Sequence, residues 1–310
     1  MTDAKEEKKD KTDNGEKEIR IAAIKERGAE YFFLLCSLMS IGAVLLICFF
    51  IFRGAWPTIK SVGLWHFLTF DKWKPTDVPP LFGIFNMIAG SVYVTLGACV
   101  IGVPVGIFSA VYMAKYCPYR IYPVMTQFVS LLAGIPSIIY GFFGMMLIVP
   151  FIAEYMSGNG NSVLAASVVL GIMILPTVIK VSEVSIRAVP KAYFEGALAL
   201  GATKEQAIFF VGIPAAKSGI LAGIILGIGR AIGETMAVVM VAGNSNILPK
   251  SVFKSVRTLT ANIVLEMGYA SDAHYDAIVA TGAVLFLFIL LLNMVLNFIN
   301  RDANAAGGLS

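Results

Sequence analysis

Two charged side chains sit where charge is costly. In the run "GIGRAIGETMAVVM" (227–240), Arg230 and Glu234 interrupt an apolar stretch from Ile220 to Gly243 that is long enough to cross a bilayer. An ionised group at the bilayer centre costs about 2.5–3.5 kcal/mol on insertion scales. One chemistry that would offset this cost is anion passage, because the planar guanidinium fork fits a tetrahedral oxyanion. Glu234 would then hold Arg230 in position and repel the anion, which keeps affinity low enough for release. The alternative is structural: the two charges neutralise each other and fix a helix–helix register. Read as one helix, Gly219, Gly223 and Gly227 form a stripe that continues past Arg230 and Glu234 to Ala237 and Val241. Small residues on such a face let a second helix approach closely. Arg before Glu is the weaker order for an i,i+4 pair, so helix support explains the pair poorly.

The elements that must position these groups follow from composition. Of 310 residues, 57% are hydrophobic and 14% charged, the balance of a polytopic membrane protein. Six segments have the length of a span: 31–53, 87–114, 124–153, 163–184, 220–243 and 277–299. The expected fold class is an all-α integral membrane protein of six transmembrane helices. Basic residues concentrate on one side, with Lys17, Arg20, Lys25, Arg27, Lys115, Arg120, Arg187, Lys191, Lys204, Lys217 and Arg301. That excess places both termini in the cytoplasm and leaves 54–86 and 244–276 as long outer loops. Gly134 and Pro136 interrupt the third span and Pro176 the fourth, and such breaks persist where neighbours or water satisfy the exposed backbone.

Residues 1–28 read as a disordered, charged cytoplasmic tail, and 29–310 as the membrane domain. The opening residues lack the apolar core of a cleavable leader. Cys36, Cys48, Cys99 and Cys117 have neither CxxC spacing nor a disulfide pattern, so no metal is indicated. No cofactor motif is present, and a net charge of +4 is too small and scattered for a nucleic-acid surface.

The loop 185–219 carries start and stop signals for two short helices. Pro190 suits a first helical position and Gly201 a stop, while Thr203 and Gln206 have the spacing of a capping box. The second helix then runs to Pro214. Small residues at Ala197, Ala199 and Gly201 make the pair a compact knob for a partner; the alternative is an amphipathic hairpin resting on headgroups.

These residues resemble the permease subunits of ATP-binding-cassette importers. The family motif, E-A-A, three residues, G, nine residues, I-x-L-P, is matched in register by Glu195, Gly196, Ala197, Gly201, Val211, Ile213 and Pro214, with Gly196, Val211 and Ile213 as small or aliphatic departures. The resemblance implies that this cytoplasmic loop is a coupling helix docking on a separate ATPase, and the chain has no phosphate-binding P-loop of its own. It is therefore expected to be a non-catalytic subunit.

Three further stretches, "LAGIPSIIYGFFG" (132–144), "GRAIGETMAVVMVAGN" (229–244) and "RTLTANIVLEMGYA" (257–270), are similar to the phosphate-specific importer permeases, the last pointing to the PstC-type subunit. The likeness covers about residues 55–300. It implies a phosphate path through Arg230, Glu234 and Thr235 in the GRAxGET run. It also implies a heterodimer with a homologous permease, two ATPase subunits and an extracytoplasmic phosphate-binding protein in the cytoplasmic membrane. The competing expectations are a permease for sulfate or molybdate, and an ATP-independent secondary anion transporter, which would need inverted repeats.

Overall fold

The computed structural model describes the backbone of residues 3–156 and 158–307 and the side chains of 26–156, 158–295 and 298. The chain divides into two compact units, Met1–Arg53 and Gly54–Ser310. Helix α1 (Asp3–Val62) supplies the first. Its part from Glu26 to Val62 is apolar enough to span a membrane. The charged tail, expected to lack order, continues this helix from Asp3, in keeping with its Glu, Lys and Ala content.

The second unit continues through α2 (Leu64–Thr69) and a two-stranded antiparallel pair, β1 (Trp73–Lys74) and β2 (Leu81–Phe82). Then come α3 (Phe85–Tyr116), α4 (Tyr122–Gly134), α5 (Ser137–Tyr155) and α6 (Val163–Ala188). After these follow α7 (Lys191–Ala199), α8 (Lys204–Ala215) and α9 (Lys217–Gly233). The last elements are α10 (Met236–Val241), α11 (Leu259–Met267) and α12 (Asp272–Gly307). Among the described residues five helices are long and apolar enough to cross a membrane, namely α1, α3, α5, α6 and α12. The pair α8 and α9, bent by 67°, makes a sixth.

Helix α6 is the hub. It packs against α3 on one side and α9 on the other, and it also touches α4, α5 and α10. Because lipid is as apolar as leucine, such packing relies on close fit rather than on apolar burial. Glycines provide the fit. A Cβ on Gly97 would strike Ser167, one on Gly102 would strike the Gly171 carbonyl and Ile174, and one on Gly106 would strike Val178. From the α9 side, Gly219 lies against Ser185, Gly223 against Val181 and Ser182, and Gly227 against Val178. The glycine stripe read from sequence therefore faces α6.

Polar backbone at helix ends is met from elsewhere in the unit. At the start of α6, Ser162 Oγ accepts from the Ala165 amide. The Val163 and Leu164 amides donate to the carbonyls of Lys254 and Val252. Three of the donors orphaned at a helix start are thus satisfied.

The expected interruptions behave differently. Pro136 does break the third span: α4 ends at Gly134, Ile135 and Pro136 are extended, and α5 starts anew. The Tyr140 hydroxyl bridges the break by donating to the Leu132 carbonyl at 2.8 Å. Pro176 breaks nothing; it is buried within an uninterrupted α6, which packs against both α3 and α9. The fifth segment is not one helix over 220–243 but α9 and α10 separated at Glu234–Thr235.

Close packing on α6 predicts a position-dependent cost. Gly102→Val should destabilise by about 1–3 kcal/mol through overpacking. Gly282→Ala, where a Cβ meets nothing within 4 Å, should be neutral or stabilise by up to about 1 kcal/mol. Thermal unfolding of the purified protein in detergent compares the two.

Candidate functional site

The break in the fifth span rearranges the charged pair. Arg230 lies in the last turn of α9, where a cation complements the helix C-terminus. Glu234 follows the helix with extended backbone (φ −72°, ψ 131°), and Thr235 opens α10. The two charges therefore do not share one helical face. No ion pair joins them, and Arg230 makes no hydrogen bond or ion pair among the described residues. The expectation that Glu234 holds the guanidinium is corrected for this conformation. The cause is the extended residue, which turns the carboxylate forward, where Glu234 Oε1 accepts from the Ala237 amide at 3.4 Å.

Other elements hold this break. Thr260 Oγ1 of α11 donates to the Glu234 carbonyl at 3.0 Å and also contacts the Thr258 hydroxyl. Thr258 caps α11 through the Ala261 amide, and Ser91 of α3 accepts from the Leu259 amide. Glu234, Ser91, Thr95, Thr258 and Thr260 line a cleft of about 10 Å³, room for roughly one water. The Thr235 hydroxyl turns back to the Gly233 carbonyl at 3.3 Å. On the facing side, a Cβ on Gly141 of α5 would meet the Ala237 backbone, so both broken spans touch just past their breaks. Arg230 is within electrostatic reach of the buried Tyr140.

A second polar cluster joins segments 54–86 and 244–276. Glu266 is 5% exposed. One carboxylate oxygen accepts from Arg257 Nη1 at 2.7 Å, and the other meets Trp73 Nε1 and His274 Nε2, each at 2.8 Å. Arg257 also donates to the Asn244 carbonyl and to Asn262 Oδ1. Asn86 at the start of α3 ties the carbonyls of Asp71 and Asn246 together. Desolvation pushes the neighbouring Tyr269 phenol above its ordinary value, the Glu266 charge adds to this, and Arg257 opposes it.

The predicted coupling residues lie on α7 and α8. Helix α7 has no buried residue. Glu195 and Gly196 are exposed, Ala197 is half-buried, and Pro214 lies in the last turn of α8. Gly201 adopts φ +87°. Its amide donates to the Leu198 carbonyl and that of Ala202 to the Ala197 carbonyl, the two bonds of a Schellman stop. The Thr203–Gln206 capping box forms in both directions. Beneath α7, Phe194 fills the space left by Gly212, and with Ile208, Ala216 and Ile220 it joins a small core shared by α3, α6 and α9.

A largely helical fold of this kind, with broken spans around a half-buried arginine and an exposed helical hairpin, suits a membrane permease. The chain belongs to the family of binding-protein-dependent transport system inner membrane components, whose family model matches residues 102–302. It is 40% identical over 266 residues to a probable ABC transporter permease protein, YqgH of Bacillus subtilis, covering 83% of this chain and 86% of that protein. It is 32% identical over 279 residues to the phosphate transport system permease protein PstC of Mesorhizobium japonicum, covering 83% and 84%. A bacterial alginate ABC transporter superposes with a TM-score of 0.63 at 14% identity, over 90% of this chain and 96% of that one, and shows the shared fold. The chain is thus a non-catalytic, multi-pass membrane subunit of a transport assembly.

Sequence reasoning missed the Glu266 cluster, because its members come from positions 73, 257, 266 and 274 and no local spacing links them. It also missed Glu183, which is buried on α6 and pairs with Arg187 at 2.8 Å. An i,i+4 Glu–Arg spacing was the available signal there.

Removal of the Glu266 carboxylate leaves Arg257 uncompensated in a buried place. Glu266→Ala should cost about 3–5 kcal/mol, and Trp73→Phe, which loses one hydrogen bond to a charge, about 1–3 kcal/mol. Lys74→Ala, at an exposed ion pair, should change stability by less than about 1 kcal/mol. Thermal unfolding of the three variants checks this order.

Proposed function

We propose that this chain is the phosphate-translocating permease of an ATP-driven importer. It forms a heterodimeric channel with a homologous permease and works with two ATPase subunits and an extracytoplasmic phosphate-binding protein. The observation that carries the reading is Arg230, a half-buried guanidinium with no carboxylate partner among the described residues, beside a broken span. Relatives named as phosphate transport permeases point to the same substrate.

The chemistry is simple in outline. Irregular backbone at membrane depth is tolerated where it is buried in protein or lines water. A guanidinium at such a point replaces part of an oxyanion's hydration with two parallel N–H donors. Glu234 and Thr235 complete the path, Glu234 by limiting how tightly the anion is retained and Thr235 by offering a hydroxyl. A single arginine, with the negative charge of Glu234 nearby in the chain, gives weak, reversible contact, which passage requires.

Coupling enters through α7. Glu195, Gly196, Ala197 and Gly201 form the face that docks on the ATPase, with Pro214 ending the hairpin. Movement of α7 is carried by Phe194 and Ile208 into α8, across the bend into α9, and so to Arg230. Both termini are cytoplasmic, residues 1–28 form a cytoplasmic appendage, and 29–310 form the membrane domain. Segments 54–86 and 244–276 face the binding protein.

Four outcomes test this reading. Arg230→Gln should abolish ATP-dependent phosphate uptake by the reconstituted complex while assembly and ATP hydrolysis persist; Arg230→Lys, which keeps charge but loses the fork, should retain a part at most. The double change Arg230→Gln with Glu234→Gln should also assemble and stay inactive, whereas near-normal uptake would mean that the pair is structural. Gly201→Asp places a side chain at positive φ and a charge on the docking face, so the ATPase should no longer co-purify or should be uncoupled. Cysteines placed at Lys204 and Lys74 should react with an impermeant reagent from the cytoplasmic and outer sides respectively; labelling of both from one side would contradict the topology.

A further inference from the structure

The break between α9 and α10 runs against the residues around it. Ala231, Glu234, Met236 and Ala237 are good helix formers, and no proline intervenes. A helix carried through would bring Arg230 and Glu234 together as an i,i+4 pair. It would also give the Thr235 amide, which makes no hydrogen bond among the described residues, the Ala231 carbonyl four residues back. The local bonds of the broken form are long: the Glu234 amide donates to the Ala231 carbonyl at 3.3 Å, and the Ala237 amide to Glu234 Oε1 at 3.4 Å. The shorter bond comes from outside. Thr260 Oγ1 donates at 3.0 Å to the Glu234 carbonyl, the acceptor that the Val238 amide uses in a continuous helix. Since the one hydroxyl proton of Thr260 goes there, the Thr258 hydroxyl at 3.1 Å donates to Thr260 in turn. Both threonines are buried.

We propose that Thr260 is a positioning residue that latches this span open: its hydroxyl holds Glu234 extended and away from Arg230, and its release lets α9 and α10 join into one helix in which Glu234 neutralises Arg230. The two forms differ by a handful of hydrogen bonds, so one hydroxyl is enough to bias them. The functional consequence rests on the reading of Arg230 as the group that meets the anion. Latched, the guanidinium is free for an oxyanion; released, it is occupied by Glu234. Helix α11 also says where the latch is set. It carries Thr260 near its start and Glu266 near its end, and Glu266 is fastened to Trp73, Arg257 and His274. A displacement of segments 54–86 and 244–276 therefore moves Thr260 along with α11.

The test is hydrogen–deuterium exchange of peptides covering 231–241, together with phosphate uptake, in the reconstituted complex. Thr260→Val keeps the shape and loses the hydroxyl, so the helix should close and the amides of 234–237 should exchange about tenfold more slowly or better. Uptake should fall about fivefold or more in the same variant. Thr260→Ser, which keeps the donor, should stay near the wild type in both. Thr260→Ala removes the hydroxyl without a branched side chain and gives the same readings if the valine variant fails to assemble. Unchanged or faster exchange in the variants without the hydroxyl would overturn the proposal, because a hydroxyl that only buttresses the bend leaves a looser segment when it is lost. Slower exchange with undiminished uptake would uphold the latch and instead remove Arg230 from the anion path.

Discussion

The constraint on which this structure rests is that backbone polar groups inside a bilayer must find partners within the protein. Helices α1, α3, α6 and α12 meet it by staying helical. The segments 124–153 and 220–243 do not, and each break is covered by a side-chain hydroxyl: Tyr140, eight residues on in α5, donates to the Leu132 carbonyl at the first, and Thr260 of α11 donates to the Glu234 carbonyl at the second. The breaks are also brought together, since Gly141 allows α5 to lie against Ala237 of α10. Irregular backbone, hydroxyl groups and one guanidinium are therefore concentrated in a single region of an otherwise apolar bundle.

Around that region the glycines of α3 and α9 fix two helices against α6, and the Glu266 cluster fixes 54–86 against 244–276. Both are close-packed arrangements that transmit displacement instead of absorbing it. The exposed hairpin connects to them through the small core of Phe194, Ile208, Ala216 and Ile220. A push on α7 thus has a continuous path to α9, and the 67° bend between α8 and α9 changes its direction.

Much of this was legible in the sequence, where the signals are local. The count of about six spans followed from apolar length, the Thr203–Gln206 box from a three-residue spacing, and the stop at Gly201 from the need for positive φ. The break at Glu234 was not legible. No proline marks it, and the 220–243 run keeps its helical periodicity across it. What holds Glu234 extended is tertiary, a hydroxyl from Thr260, twenty-six residues on. Pro176 shows the opposite case, a strong local breaker overruled by helices packed on both sides. The Glu266 cluster depends on partners up to 193 residues apart, a distance at which periodicity carries no information.

As proposed, this bundle passes phosphate under the control of a separate ATPase. The most direct measurement is uptake of radiolabelled phosphate and sulfate, side by side, into proteoliposomes holding the chain with its partner subunits, with and without hydrolysable ATP. Phosphate uptake should require ATP hydrolysis, and sulfate should show no comparable uptake. Phosphate uptake that continues without hydrolysis, or sulfate uptake at the rate of phosphate, would contradict it.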